Sequence, residues 1–213
     1  MRVLILPMSL AALLLALGGS ACRPLAPAQQ PLLQPVDSSL RSELVRLGHE
    51  DQASREGFGV AVARNDTAYV RQLSASDSAR TERLREIVRA HGWPGRSLVG
   101  NDGAKAAWLI LQHSSSVDFQ QALLPTLWAA ADQGEMAKAD IATLTDRVLV
   151  HTARPQRYGT QFSLRDRQWI PDSIEDLAGL ESRRAAVGLP SMGEYVKMLG
   201  QMYGLPVKWP PVP

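Results

Sequence analysis

The 213-residue sequence predicts a mainly α fold, a single compact helical domain with a short β-hairpin. Apolar residues recur at helical spacing along most of the chain after residue 38. The hydrophobic fraction of 45% and the charged fraction of 21% are ordinary for a globular domain. Residues that suit strands, Tyr158, Phe162, Trp169 and Ile170, gather in one later segment. We therefore expect a helical domain over residues 38–205.

The first 21 residues have the pattern of a secretory signal peptide. Arg2 precedes an apolar run, and small residues from Gly18 to Ala21 follow it. The run is shorter than the roughly 20 residues that span a bilayer, which disfavours a retained membrane anchor as the alternative. The sequence thus predicts an exported protein, either a membrane-anchored lipoprotein or a periplasmic or extracellular one.

Cys22 is the only cysteine, so an internal disulfide is excluded. Its position after Ser20 and Ala21 resembles the lipobox of bacterial lipoproteins, in which the thiol receives a diacylglyceryl group. Gly19 stands where that pattern has an aliphatic residue, so secretion with a free Cys22 remains the alternative. Residues 22–37 are rich in proline and glutamine and are expected to form a tether.

The helical pattern begins with Ser39 as the expected N-cap. Residues 58–73 favour a helix interrupted near Asn65, with a hairpin as the alternative, and a clearer helix is expected to open at Asp77 or Ser78. Asp102 is expected to end a loop and cap the most apolar helix. Later helices are expected over residues 104–115, 118–133, from 138, 175–187, and 191–202.

Two further segments are expected to be extended. Residues 156–162 and 167–170 are expected to pair as the hairpin, with Asp166 in the turn. The proline-rich residues 206–213 predict a strap across the domain or a frayed tail.

Asp51 falls in the middle of an apolar helical stripe, with Arg55 one turn later. A buried carboxylate must be paired, protonated or at the edge of a cavity. An Asp51–Arg55 ion pair within the helix explains the pattern. Asp51 is nevertheless kept as a candidate partner for a catalytic histidine.

Residues 104–161 collect polar side chains beside packing surfaces, where a core favours hydrocarbon. His113 lies one turn after Leu109 and Ile110, a position typical of either a core histidine or a catalyst. Adjacent helical residues point about 100° apart, so Asp146 and Arg147 need separate partners. The remaining candidates of this stretch are Gln112, Gln156, Tyr158, Thr160 and Gln161.

The order of short motifs from residue 44 to residue 199 resembles a family of bacterial proteins, often secreted, that is known only as a domain of unknown function. The resemblance is carried by Asp51-Gln52 with Arg55, Gly92-Trp93-Pro94, Leu98-Val99-Gly100, Gln112-His113, Phe119-Gln120, Leu144-Thr145-Asp146-Arg147-Val148, Gln156, Tyr158-Gly159-Thr160-Gln161, Arg183-Arg184 and Val187-Gly188-Leu189-Pro190. The family usually continues Gln-His with Ala-Asp, whereas Ser114-Ser115 stand here. If the usual acid orients the histidine, the orientation of His113 comes from elsewhere.

Several classes of function lack their signatures. The sequence has no GxSxG, HExxH, GxGxxG or P-loop pattern, and Asn101 follows Gly100 where a P-loop has lysine. His49, His91, His113 and His151 have no metal-ligand spacing, so no metal and no cofactor are predicted. The formal net charge of +2 and the absence of a strongly basic helix argue against nucleic acid.

Two hypotheses follow. In the first, the protein is a hydrolase-like or transferase-like envelope enzyme with His113 as general acid or base, oriented by Asp51 or Asp146. Arg147 would hold an anionic group, and Gln112, Gln156, Tyr158, Thr160 and Gln161 would position a small polar or anionic substrate. In the second, it is a non-enzymatic envelope lipoprotein with a ligand pocket or a buried polar network. Membrane contact is expected only through a lipidated Cys22, and no oligomeric state is indicated.

Overall fold

Helices dominate the structure, a computed structural model that describes residues 36–209 without the side chains of residues 59, 62 and 63. The predicted signal peptide, Cys22, the tether up to residue 35 and the tail from residue 210 lie outside the described residues. The described residues form two compact units, residues 36–110 and residues 111–209. The predicted domain limits at residues 38 and 205 stay a prediction.

The unit of residues 36–110 contains three helices and most of a fourth. α1 packs against α3, and α2 packs against α3. The first unit ends inside the fourth helix, whose last three residues belong to the second unit. The bounds are α1 (Ser38–Ala53), α2 (Phe58–Ala63), α3 (Thr67–His91) and α4 (Arg96–His113).

Two helix starts differ from the sequence prediction. The N-cap of α1 is Asp37, whose carboxylate accepts the N–H of Leu40, and not Ser39. The predicted start at Asp77 or Ser78 is wrong, because α3 begins at Thr67 after the N-cap Asp66. Asp66 can cap there because Asn65 adopts a left-handed φ of 53° and breaks the preceding helix. The predicted interruption near Asn65 is thereby confirmed.

The loop predicted over residues 95–103 is a kinked helix. Residues 96–99 already form a helical turn, and the chain kinks at Gly100, where φ is 73° and ψ is 174°. Asp102 is not a simple N-cap, since its carboxylate accepts two hydrogen bonds from the Arg41 guanidinium at 2.8 and 2.6 Å. The Arg41–Asp102 pair thus ties α1 to the kinked end of α4.

A cluster of buried charges joins α1 to α3. The guanidinium of Arg55 lies 3.2 Å from Asp51 and makes two 2.9 Å contacts with the carboxylate of Asp77. Arg80 donates to Asp77 at 2.6 Å and lies 3.6 Å from Asp51. The expected Asp51–Arg55 pair is therefore present. The two acids and the two arginines also balance each other's charge. Any one of them, buried alone, would be an unpaired charge and would destabilise the fold.

The unit of residues 111–209 is built on α5 and α6, which pack against each other. α5 runs without interruption through Pro125. Beyond α6 the chain forms a two-stranded antiparallel sheet and two short helices. The bounds are α5 (Val117–Asp132), α6 (Lys138–His151), β1 (Phe162–Arg165), β2 (Gln168–Pro171), α7 (Leu180–Ala186) and α8 (Met192–Tyr203).

The hairpin lies close to its predicted place but is shorter. Phe162 pairs with Pro171, and Asp166 and Arg167 form the turn with positive φ angles of 48° and 60°. The prediction of a strand over residues 156–161 is wrong, because this segment is a loop whose N–H groups bind a buried carboxylate. The predicted strap is present at Val207, which bridges to Trp169.

The last two helices differ in how well the sequence predicts them. The helix expected over residues 175–187 covers only Leu180–Ala186, because the N–H of Glu175 bonds to the carbonyl of Gln156 instead. The helix expected over residues 191–202 is present as α8, and Ser191 and Glu194 form a capping box at its start. The predicted mainly α fold with one short hairpin after the helix of Asp146 and Arg147 is also confirmed.

Replacement of Asp77 by asparagine is expected to lower the free energy of unfolding by about 3 kcal/mol, because Arg55 and Arg80 would then share the single carboxylate of Asp51. Urea denaturation followed by circular dichroism measures the change.

The control is Glu82→Gln on the same helix, since the side chain of Glu82 is exposed. Loss of an exposed ion pair should change the free energy of unfolding by less than about 1 kcal/mol. Equal effects of the two substitutions would contradict a special role for the buried cluster.

Candidate functional site

The carboxylate of Asp146 organises the loop that follows α6. It accepts the N–H of Arg157 at 2.7 Å, that of Tyr158 at 3.0 Å and that of Thr160 at 2.9 Å. The hydroxyl of Thr160 donates to it at 2.9 Å. Asp146 is 0% exposed. Its charge is therefore distributed over four donors from one loop, which we call the Asp146 loop (residues 156–161).

Two opposing effects act on the pKa of Asp146. Burial is the larger effect and raises the pKa, because a carboxylate loses solvation in the interior. The N–H groups of Thr160, Tyr158 and Arg157 and the Thr160 hydroxyl lower it by donating to the ionised form. Proton release from Asp146 is thus coupled to the conformation of the loop.

Gln156 braces the two ends of the Asp146 loop. Its amide oxygen accepts the N–H of Gln161 at 2.8 Å, and its amide nitrogen donates to the Gln161 carbonyl at 2.9 Å. The same nitrogen donates to the carbonyl of Asp172 at 2.8 Å, beyond the hairpin. Gln161 donates to the Thr160 hydroxyl at 3.1 Å. The polar atoms of Gln156 are therefore used within the protein.

The carbonyl side of the loop faces Arg184, which is 0% exposed. One terminal nitrogen of Arg184 donates to the carbonyl of Tyr158, and Nε donates to the carbonyl of Pro190 at 2.8 Å. The guanidinium carbon lies 4.9 Å from the centre of the Tyr195 ring. The hydroxyl of Tyr195 donates to the carbonyl of Thr160 at 3.0 Å. Burial lowers the pKa of Arg184, and the charge of Asp146 opposes that change.

The geometry of the loop also requires Gly159. Its φ is +66°, and a Cβ there would lie 3.3 Å from both the Ile174 side chain and the Met192 sulfur. A side chain would combine backbone strain with a close contact. The residue type in the middle of Tyr158-Gly159-Thr160-Gln161 therefore follows from the fold.

A second polar group lies at the corner between α4 and α5. Gln112 is 1% exposed, and neither its amide oxygen nor its amide nitrogen has a hydrogen-bond partner among the described residues. Gln120 is fully buried and donates through its nitrogen to the carbonyls of Leu111 and Ser114 at 2.9 and 3.0 Å. The amide oxygen of Gln120 has no partner in the described part of the chain. Gln112 and Gln120 are called the amide corner below.

The other candidates of the second unit are buried as well. His113, next to Gln112, is 5% exposed, and Arg147 is buried beside Asp146 in sequence. The ring of Tyr158 packs in an apolar cluster with Ala142 and Leu189. The fold therefore already uses the side chains of four candidate residues, in packing or in the hydrogen bonds of the Asp146 loop: Gln156, Tyr158, Thr160 and Gln161.

Asp51, the third residue considered as catalytic, belongs to the unit of residues 36–110. Within that unit its carboxylate lies beside Arg55 and Arg80 and accepts a hydrogen bond from Gln52 at 2.8 Å. These contacts give Asp51 a clear role in the fold.

The sequence prediction missed several buried polar residues, among them Arg80, Gln120, Arg184 and Tyr195. A signal was present for three of them. Arg184 lies one turn after the buried Leu180, Gln120 follows Phe119 and precedes Leu123 by three residues, and Arg80 precedes Leu84 by one turn. A polar residue on an apolar stripe marks burial, which is the criterion that selected Asp51.

Two searches of residues 36–209 gave negative results. No group of three or more histidine, cysteine, aspartate or glutamate side chains in this range is placed to hold a metal ion. Within the same range, no helix combines the length and the apolar character needed to cross a membrane.

Comparison with known proteins gave a match at the family level. A family model matches residues 38–208, and the family it describes has no known function. Neither the curated proteins nor the solved structures contain a match to the chain.

Replacement of Asp146 by asparagine is expected to destabilise the second unit by about 3 kcal/mol, because an amide nitrogen would face N–H groups that now bind a carboxylate. Amide hydrogen exchange at Tyr158 and Thr160 should accelerate about 100-fold as the loop opens. Mass spectrometry of exchange on peptides that cover residues 156–161 measures the effect.

Asp118→Asn is the matched control, since Asp118 is exposed in the same unit. It should change the free energy of unfolding by less than about 0.5 kcal/mol and leave exchange of the loop unaltered. Unchanged protection of Tyr158 and Thr160 in the Asp146 variant would contradict the role assigned to this carboxylate.

Proposed function

The chain belongs to the DUF6624 family of unknown function, and we propose that it is an exported cell-envelope protein that binds a small polar molecule at the amide corner. The observation that carries the proposal is the amide of Gln112, buried at 1% exposure with neither polar atom paired in the described part of the chain. Buried polar groups almost always have partners, and an exception calls for a water, an ion or a ligand.

The energetics support a site at this place. Each buried amide atom without a partner costs about 1–3 kcal/mol, and Gln112 has two such atoms. A leucine of similar size would avoid that cost. A ligand that supplies the missing hydrogen bonds would recover the lost free energy on binding, which is how a buried glutamine becomes a recognition group.

The Asp146 loop has a supporting role in this proposal. Its N–H groups bind Asp146, and two of its carbonyls bind Arg184 and Tyr195. Groups that are already paired offer little to a ligand, but they hold a rigid framework. The loop is therefore a scaffold of the unit rather than the surface that contacts the ligand.

Catalysis by His113 is the second candidate function. His113 follows Gln112 directly and is 5% exposed, and imidazole is the side chain that titrates nearest to neutral pH. Because adjacent helical residues point about 100° apart, a substrate held by Gln112 would have to extend around α4 to exchange a proton with His113. The hydrolase-like or transferase-like hypothesis therefore rests on His113, with Gln112 positioning the substrate.

A thermal-shift screen of sugars, phosphates, nucleotides, small amides and peptidoglycan fragments tests the binding proposal. A ligand of the amide corner should raise the Tm of the wild-type chain but not that of Gln112→Leu. The substitution alone should stabilise the free protein by about 1–2 kcal/mol, because it removes two unpaired polar atoms.

Gln121→Leu, on the exposed face of α5, is the matched control and should leave the ligand response unchanged. Equal Tm shifts in the wild type and Gln112→Leu for every active compound would contradict binding at Gln112.

Each active compound is then assayed for conversion. Turnover lost in His113→Gln with binding retained supports catalysis, whereas turnover retained in that variant excludes His113 as its acid or base.

Export with lipidation of Cys22 is proposed from the sequence pattern of residues 1–22. The wild-type chain should partition into the membrane fraction of a bacterial host, and Cys22→Ala should appear in the soluble envelope fraction, because alanine has no thiol to acylate. Fractionation and intact-mass measurement distinguish the two forms.

Ser20→Ala keeps a small residue before the cysteine and is the control, which should still be lipidated. An unmodified Cys22 in the mature wild-type chain would favour simple secretion. A chain that retains residues 1–21 would contradict the signal peptide.

A further inference from the structure

The donors and acceptors of the amide corner indicate which class of small molecule it recognises. We propose that the ligand presents an uncharged amide edge, with an N–H donor beside a C=O acceptor, as in a primary carboxamide, a lactam or a urea. This inference rests on the proposed function, since it names the chemistry of the molecule bound at Gln112.

The unpaired atoms define the pattern that a ligand must match. Gln112 offers both N–H donors of its amide nitrogen and its carbonyl oxygen as an acceptor. Gln120 offers only its carbonyl oxygen, because its nitrogen already donates to Leu111 and Ser114. Gln112 therefore presents one donor group and one acceptor, and the Gln120 oxygen is a separate unpaired acceptor. A ligand needs at least one acceptor and N–H donors to satisfy them.

The position of the corner in the fold disfavours an anion. Gln112 lies in the last turn of α4, whose C-terminal end carries the negative pole of the helix dipole. A carboxylate or phosphate would also face the two amide oxygens, which repel negative charge. The sequence-based expectation of a polar or anionic ligand is thereby narrowed to an uncharged one.

A cation matches the corner poorly for a different reason. An ammonium group can donate to the oxygens of Gln112 and Gln120, but it has no lone pair to accept from the Gln112 nitrogen. That donor would stay buried without a partner. A full charge would also lose its hydration in a site where Gln112 is 1% exposed. A neutral group avoids both costs.

An amide edge satisfies both sides at once. Its carbonyl accepts from the Gln112 nitrogen and its N–H donates to the Gln112 oxygen, which closes a pair of parallel hydrogen bonds. Hydrogen bonds of this kind are strengthened where water is excluded. Analogues that lack the donor leave a buried oxygen unpaired and should bind much more weakly.

Three probes of equal size separate these chemistries. Acetamide carries the full edge, acetone has the acceptor alone, and acetate has acceptors with a negative charge. Each is titrated into the purified ¹⁵N-labelled full chain while the side-chain NH₂ signals are followed by NMR. The Gln112 signal is assigned by its absence in Gln112→Leu, with Gln112→Met as a second variant should the first not fold.

Acetamide should shift the Gln112 signal in a saturable way, with at least about tenfold weaker responses to acetone and acetate, the difference that one lost hydrogen bond of about 1.4 kcal/mol produces. Gln121→Leu should bind acetamide as the wild type does. The comparison of probes uses the unaltered chain, so it does not depend on a variant folding.

Three other results would overturn the inference. Acetate that binds as tightly as acetamide would show that the site accepts an anion. That result would overturn the amide class of ligand but not ligand binding at Gln112. Acetone that binds as tightly as acetamide would show that the N–H donor of the ligand does not contribute to recognition. No saturable response to any probe, together with long-lived water contacts at the Gln112 NH₂ group, would show a buried structural water and overturn the proposed function as well.

Discussion

The second unit depends on one buried carboxylate. Asp146 lies on α6, and it takes three backbone N–H groups and one hydroxyl from a loop 11 to 14 residues later in the chain. Without this acceptor, the N–H groups of Tyr158 and Thr160 would be buried and unpaired, which would destabilise this conformation of the loop. The brace by Gln156, the contacts of Arg184 and the Tyr195 hydrogen bond all presuppose the loop conformation that Asp146 sets.

The loop also separates two opposite charges without a direct ion pair. Asp146 binds the N–H side of residues 157–160, while Arg184 and Tyr195 bind carbonyls of residues 158 and 160. One peptide group bridges the two charges, because the N–H of Thr160 donates to Asp146 and the carbonyl of Gly159 accepts from Arg184 at 3.5 Å. The arrangement differs from the cluster of Asp51, Arg55, Asp77 and Arg80, where acids and bases meet directly.

The sequence predicts the helices and turns that depend on local residue spacing. It does not predict the conformation of a segment whose hydrogen-bond or charge partner lies far away in the chain. The α5, α6 and α8 helices and the turn at Asp166 follow from periodicity and caps. Tyr158 and Thr160 suit a strand, yet residues 156–161 form a loop because Asp146 accepts their N–H groups. Asp77 resembles an N-cap, yet it lies inside α3 because the helix already begins after the N-cap Asp66. The distant partners, Asp146 of the loop and Arg55 of Asp77, lie 11 and 22 residues away in the chain.

For the candidate residues, the sequence predicts burial but not the role of each side chain. Polar residues on apolar stripes are predicted to be buried, and Gln112, His113, Asp146 and Gln161 are buried. Their roles could not be predicted, because a role depends on which atoms are already paired. Gln156 and Gln112 are both buried glutamines, but Gln156 closes the ends of a loop and Gln112 has neither atom paired within residues 36–209.

That difference decides where recognition is expected. The buried charges around Asp51 are paired with other charges, and those of Asp146 and Arg184 with backbone groups, so a charged ligand would have to displace contacts that the fold needs. The amide of Gln112 and the oxygen of Gln120 have no partner within residues 36–209, whereas the Gln120 nitrogen is held by the carbonyls of Leu111 and Ser114. Under the proposal, a neutral hydrogen-bonding partner would pair with these atoms, and selectivity at Gln112 would arise from the count of donors and acceptors rather than from net charge.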